Sequence, residues 1–103
     1  MSWKKEKHIV QIKGGCGQVI TEAGRGLIQQ FLVEPESKDT IWSMDILDRD
    51  GGCIYSVKDQ EWQLNDRQGL PLGKDQTEQL NVKFYDLTRN EKIKVIFNIR
   101  EIQ

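Results

Sequence analysis

Asp48, Asp50, Gly51 and Gly52, in the run MDILDRDGGCIYS, have the residue types and spacing that come nearest to a metal loop in this chain. A calcium loop of the EF-hand type needs oxygen ligands at its first, third and fifth positions, glycine at the sixth and a bidentate glutamate at the twelfth. Counted from Asp48, the fifth position is Gly52, the sixth Cys53 and the twelfth Asp59, so the pattern fails at three places. The same residues suit a hairpin tip, because Asp tolerates and Gly freely adopts the left-handed backbone of a tight turn. The tip is the reading carried forward, and no metal is expected.

Cys16, in GGCGQ, is the candidate nucleophile. It needs a positioned base, and His8 is the one histidine of the chain. The glycines around it do not make a phosphate cradle, since neither the lysine and hydroxyl of a P-loop nor an immediate helix follows. Cys16 and Cys53 with one histidine are too few for a zinc site, and they can form a disulfide only if their strands adjoin. The carboxylate pairs Asp45/Asp48 and Glu34/Glu36 have the residue type for acid–base work on a glycan, but no pocket lining accompanies them. No catalytic residue and no cofactor is assigned, and the chain is expected not to be an enzyme. The tryptophans and tyrosines offer a different chemistry, stacking on sugars or bases. Trp42 sits at strand spacing and reads as core. Trp3, at a basic terminus, reads as a partner contact.

These residues must be positioned by strands. KIKVIFNIREI puts Ile93, Val95, Phe97 and Ile99 on one face, and QLNVKFYDL does the same for Leu80, Val82 and Phe84. TRNE between them, Thr88 to Glu91, predicts an antiparallel hairpin. TIWSMDI alternates Trp42, Met44 and Ile46, and CIYSV alternates Cys53, Tyr55 and Val57, around the DRDGG tip. KHIVQIK alternates His8, Val10 and Ile12. In GLIQQFLVEP the alternation sets Leu27, Gln29, Phe31 and Val33 against Ile28, Gln30 and Leu32; a short helix is the alternative there, and the β-branched or aromatic residues and the following Pro35 favour strand, while a short strand is expected at Gln18 to Thr21. Residues 59–79 are the least regular stretch, with Trp62 and Leu64 on a short strand at most, and a connection of that length marks a partner-binding excursion. The prediction is an all-β antiparallel sandwich of seven or eight short strands, with a small oligonucleotide-binding (OB-like) barrel as the alternative. Residues 1–103 form one domain in this reading, and residues 1–6 are a flexible arm.

With 103 residues the chain can bury one core, and 37% apolar against 30% charged residues implies much exposed surface. A net charge of −1 lacks the positive excess of a phosphate-tracking protein, so no nucleic acid is expected. No apolar run is long enough to span a membrane, the first residues lack a secretory core, and synthesis is expected in the cytosol. The charge is uneven: residues 1–26 carry five cations against two carboxylates, and residues 34–50 six carboxylates against two cations, an arrangement by which copies can meet.

Residues 40–102 resemble the small all-β virion proteins of tailed phages. The resemblance lies in a strand and Asp-Gly turn, a long loop with the Leu70-Pro71-Leu72 element, and a last hairpin that turns through a TxxE-type tip, Thr88 to Glu91. It implies a non-enzymatic structural protein, a capsid decoration or a neck or tail component, located in the virion and assembled in the host cytoplasm. Its partners would be other virion proteins and copies of itself, met through Trp3, Trp62, Leu64, Leu70, Pro71 and Leu72. The alternative is a small carbohydrate-binding module with exposed aromatic faces and a glycan as partner.

Overall fold

Alternating apolar residues leave each strand with one face to bury, and two sheets placed face to face bury them all. A computed structural model of the chain describes residues 2–22, 26–66, 70–73 and 79–101, with side chains for all of these but Ser2 and 70–73. The described residues form nine strands: β1 (Ser2–Gln11), β2 (Gly17–Ile20), β3 (Gly26–Pro35), β4 (Ile41–Leu47), β5 (Cys53–Glu61), β6 (Leu64–Asp66), β7 (Leu70–Gly73), β8 (Asn81–Tyr85) and β9 (Lys92–Glu101). The first sheet runs β1-β9-β3-β6, with β7 also on β3, and the second runs β2-β8-β4-β5. Every paired ladder is antiparallel. The fold is therefore the all-β sandwich that the alternation predicts.

The core lies between the sheets. Ile93, Val95, Phe97 and Ile99 of β9, Trp42, Met44 and Ile46 of β4, and Leu80, Val82 and Phe84 at β8 are all buried, as their spacing requires. Phe31 on β3 meets Tyr55 on β5 edge to face at 5.0 Å across the two sheets. The Tyr55 hydroxyl then donates to Asp66 Oδ2 of β6 at 2.6 Å, a second bond between layers.

Four expectations are corrected. The strands β8 and β9 do not form a hairpin, because they lie in different sheets, and residues 86–91 carry the chain across the end of the sandwich. Asp86 turns the corner at φ 53°. Leu87 is buried there, its N–H donating to Gly15 O at 3.1 Å. Residues 2–6 are no arm, since the ladder between β1 and β9 begins at Ser2 opposite Glu101. In β3 the buried set is Ile28, Phe31 and Val33, not one unbroken alternation. Gln29 is an extra residue there, since Ile28 faces Ile99 and Gln30 faces Asn98, and this bulge moves the register by one. Finally, residues 59–79 contain strand in much of their length: β5 continues to Glu61, and β6 and β7 line the margin of β3 left free by β9.

Candidate functional site

Among the described residues the exposed large apolar side chains are Trp3, Ile9 and Ile20, at 66%, 55% and 53% exposure. All three belong to β1 and β2, which are the edge strands of the two sheets along one margin of the sandwich. The short turn at Gly14 and Gly15, both left-handed at φ 61° and 76°, joins these strands. Close stacking there needs a glycine: a Cβ on Gly17 would stand 2.9 Å from Ile12 Cδ1 and 3.1 Å from Val10 Cγ1. Farther along, Glu6 is buried, with one carboxylate oxygen bonded to His8 Nε2 and accepting the Glu22 N–H at 3.1 Å. Lys4 pairs with Glu22. That bond raises the Lys4 ammonium above its ordinary range and lowers the Glu22 carboxyl below its own.

The outward face of the first sheet is built in rows set by the ladders. Trp3 lies opposite Arg100, Lys5 opposite Asn98, Lys7 opposite Ile96 and Ile9 opposite Lys94. On the other side of β9, Gln30 continues the Asn98 row and Glu34 the Lys94 row. The amides are linked: Asn98 Nδ2 reaches Gln30 Oε1 at 3.5 Å, and Gln30 Nε2 donates to Asn65 Oδ1 at 2.8 Å. A groove of about 500 Å³ opens on this face, lined by Trp3, Lys4, Lys5, Gln29, Gln30 and Asn98. The bulge at Gln29 brings two consecutive glutamines to its wall.

No protein-family model matches the sequence, and no curated protein sequence matches it. Similar solved structures are of a virus. One chain in the structure of infectious bursal disease virus Gx strain is 7% identical, with a TM-score of 0.39, covering 99% of this chain and 37% of that one. One in the structure of the Gt strain is 6% identical, with a TM-score of 0.28, covering 97% and 36%. This chain thus spans little more than a third of either. Both are of infectious bursal disease virus and not of a tailed phage. At these scores the likeness says nothing of function.

The residues singled out in the sequence fall in different places. Of the contact residues, Trp3 is exposed on the groove, whereas Trp62 and Leu64 are half-buried. Trp62 has a left-handed backbone, φ 58°, and its carbonyl accepts the Trp42 indole N–H at 2.6 Å. Leu64 packs on the core. The side chains of Leu70, Pro71 and Leu72 lie outside the described residues, although their backbone forms β7. The structure does not bring Cys16 and His8 together: His8 is held by Glu6, and roughly 13 Å of strand separates it from Ile12, where the Cys16 turn begins. Cys16 and Cys53 are free, at opposite edges of the second sheet with two strands between them, about 14 Å apart across the strands alone and offset along them as well, which no disulfide bridges. At the DRDGG tip, Asp48 Oδ1 accepts the N–H groups of Asp50 at 3.0 Å and Gly52 at 2.7 Å. Gly51 takes the left-handed position at φ 87°. The Asp48 carboxylate thus closes its own turn, and of the tip residues that suit a left-handed backbone Gly51 takes it while Asp50 does not. The amide row was missed altogether, because no local pattern announces residues that meet only through strand register.

Proposed function

We propose that this protein is a non-enzymatic structural component of a viral particle, acting through protein–protein contacts as a capsid decoration or a neck or tail component. The observation that carries the contact reading is the β1–β2 margin, where Ile9 and Ile20 stand exposed from the two sheets at once. The two edge strands adjoin, and each holds one of these side chains exposed, Ile9 on the outward face of the first sheet and Ile20 on that of the second, so a neighbour seated on the margin would take apolar surface of both out of water. The particle setting follows from the resemblance of residues 40–102 to small virion proteins. The occupants of the margin are then copies of this chain and other virion proteins, with many weak contacts adding along an array.

The test is the solution mass by size-exclusion with light scattering over a wide concentration range. A defined oligomer is expected, and the Ile9→Asp/Ile20→Asp variant should run as a monomer with unchanged β-type circular dichroism. A parent protein that stays monomeric removes self-association. An oligomer untouched by the variant moves the contact to another surface.

A further inference from the structure

We infer that the groove on the outward face of the first sheet binds an anionic glycan, with Trp3 as the stacking wall and the Lys5–Asn98–Gln30 row as the polar floor. The groove starts at Trp3 on the same edge strand as Ile9 and runs across the outward face to β3, with neither Ile9 nor Ile20 in its lining. Trp3 is the most exposed large apolar residue described, yet its surroundings are two lysines and three side-chain amides rather than other apolar groups. An indole set among amides fits a ligand that is apolar on one face and rich in hydroxyls along its edge, as a pyranose is. Each amide offers a donor and an acceptor to adjacent hydroxyls. The bond from Gln30 to Asn65 fixes one of them before the ligand arrives, which lowers the entropy lost on binding.

Charge selects an acidic sugar. On the strands of this face whose side chains are described, Lys5, Lys7, Lys92, Lys94 and Arg100 share the outward positions with one carboxylate, Glu34, which stands 3.8 Å from Lys94; Glu36 follows just beyond β3, at the end far from Trp3. Lys4 at the groove wall is engaged by Glu22, so Lys5 is the ammonium nearest the floor row. A nucleic acid strand would be the other polyanion to consider. It stacks successive bases on successive aromatic rings, and the described residues lining this groove include a single one, Trp3.

The probe is a heparin-derived hexasaccharide, titrated by calorimetry and followed by amide chemical shifts. Saturable binding is expected, with shifts centred on Trp3, Lys5, Gln30 and Asn98. Trp3→Ala should weaken it by about tenfold or more, as truncation of an anchoring aromatic does, and Trp3→Phe should restore most of the loss. Gln30→Ala and Lys5→Glu should each weaken it as well. Four results would overturn the proposal: no saturable binding at millimolar glycan, an unchanged affinity in Trp3→Ala, equal binding of uncharged maltohexaose, or tighter binding of a thymidine oligomer of matched charge. The oligomeric mass of Trp3→Ala should equal that of the parent; a change would assign Trp3 to the protein contact instead.

Discussion

At the scale of single residues, the polar groups with the most hydrogen bonds serve as structural ties. Glu91 shows how. Its carboxylate accepts the Ser37 N–H at 3.2 Å, the Ser37 hydroxyl at 2.8 Å and the hydroxyl of buried Thr40. Burial alone would raise its pKa, but these hydrogen bonds outweigh it and hold the carboxyl below its ordinary range. A depressed folded pKa means that the unfolded chain takes the proton first as pH falls. The stability from Glu91 is then complete above the ordinary carboxylate value near pH 4.3, and it is lost as pH drops through the lower folded value. Glu91→Ala should lose about 1–3 kcal/mol at neutral pH by stranding these donors, and its urea midpoint should fall less steeply on acidification than that of the parent. Equal acid slopes would show that another carboxylate governs the response. In the sequence Glu91 was visible as one end of a turn. Its role was not, because its partners lie about fifty residues away in the chain.

At the scale of elements, alternation located the strands and named most of their inward residues, since period two is a local property of the chain. It failed where register and pairing are decided by neighbours. The Gln29 bulge exchanges the two faces of β3, and two extra residues on β5 do similar work: Trp42 pairs with Gln60 and Met44 with Val57, while Ile46 pairs with Tyr55 and Leu47 with Cys53. The residues of TRNE read equally well as a hairpin tip and as a crossing between sheets, and only the partners of β8 and β9 separate the two. Gly26 is a comparable case. It pairs with Glu101 on one side and Gly73 on the other, and a Cβ there would fall 2.4 Å from the Arg100 carbonyl oxygen. That contact is with backbone and has no flexible end to yield. Gly26→Ala should cost about 1–3 kcal/mol in urea unfolding and speed amide exchange along the β3–β9 ladder near Arg100. Unchanged stability would mean that the strands separate there without loss.

At the scale of the whole molecule, the sandwich depends on what joins its layers, because the ladders hold each sheet but not the pair. Phe31 is the central tie. It is fully buried, packs on Phe97 within its own sheet at 6.2 Å, and meets Tyr55 of the other sheet at 5.0 Å. Tyr55 adds its bond to Asp66, so the same ring and hydroxyl contact two strands of the first sheet. Truncating a buried phenylalanine costs about 3–5 kcal/mol, a large part of the roughly 5–15 kcal/mol that holds a domain folded. Phe31→Ala should therefore show a greatly reduced urea midpoint. Tyr55→Phe, which keeps the ring and loses only the hydroxyl bond, should cost about 1 kcal/mol. If the two layers were held mainly by the corner at residues 86–91, the order would reverse: Phe31→Ala would cost little, and Leu87→Ala would lower the midpoint most. The comparison of these three variants decides whether the sandwich is held from its centre or from its end.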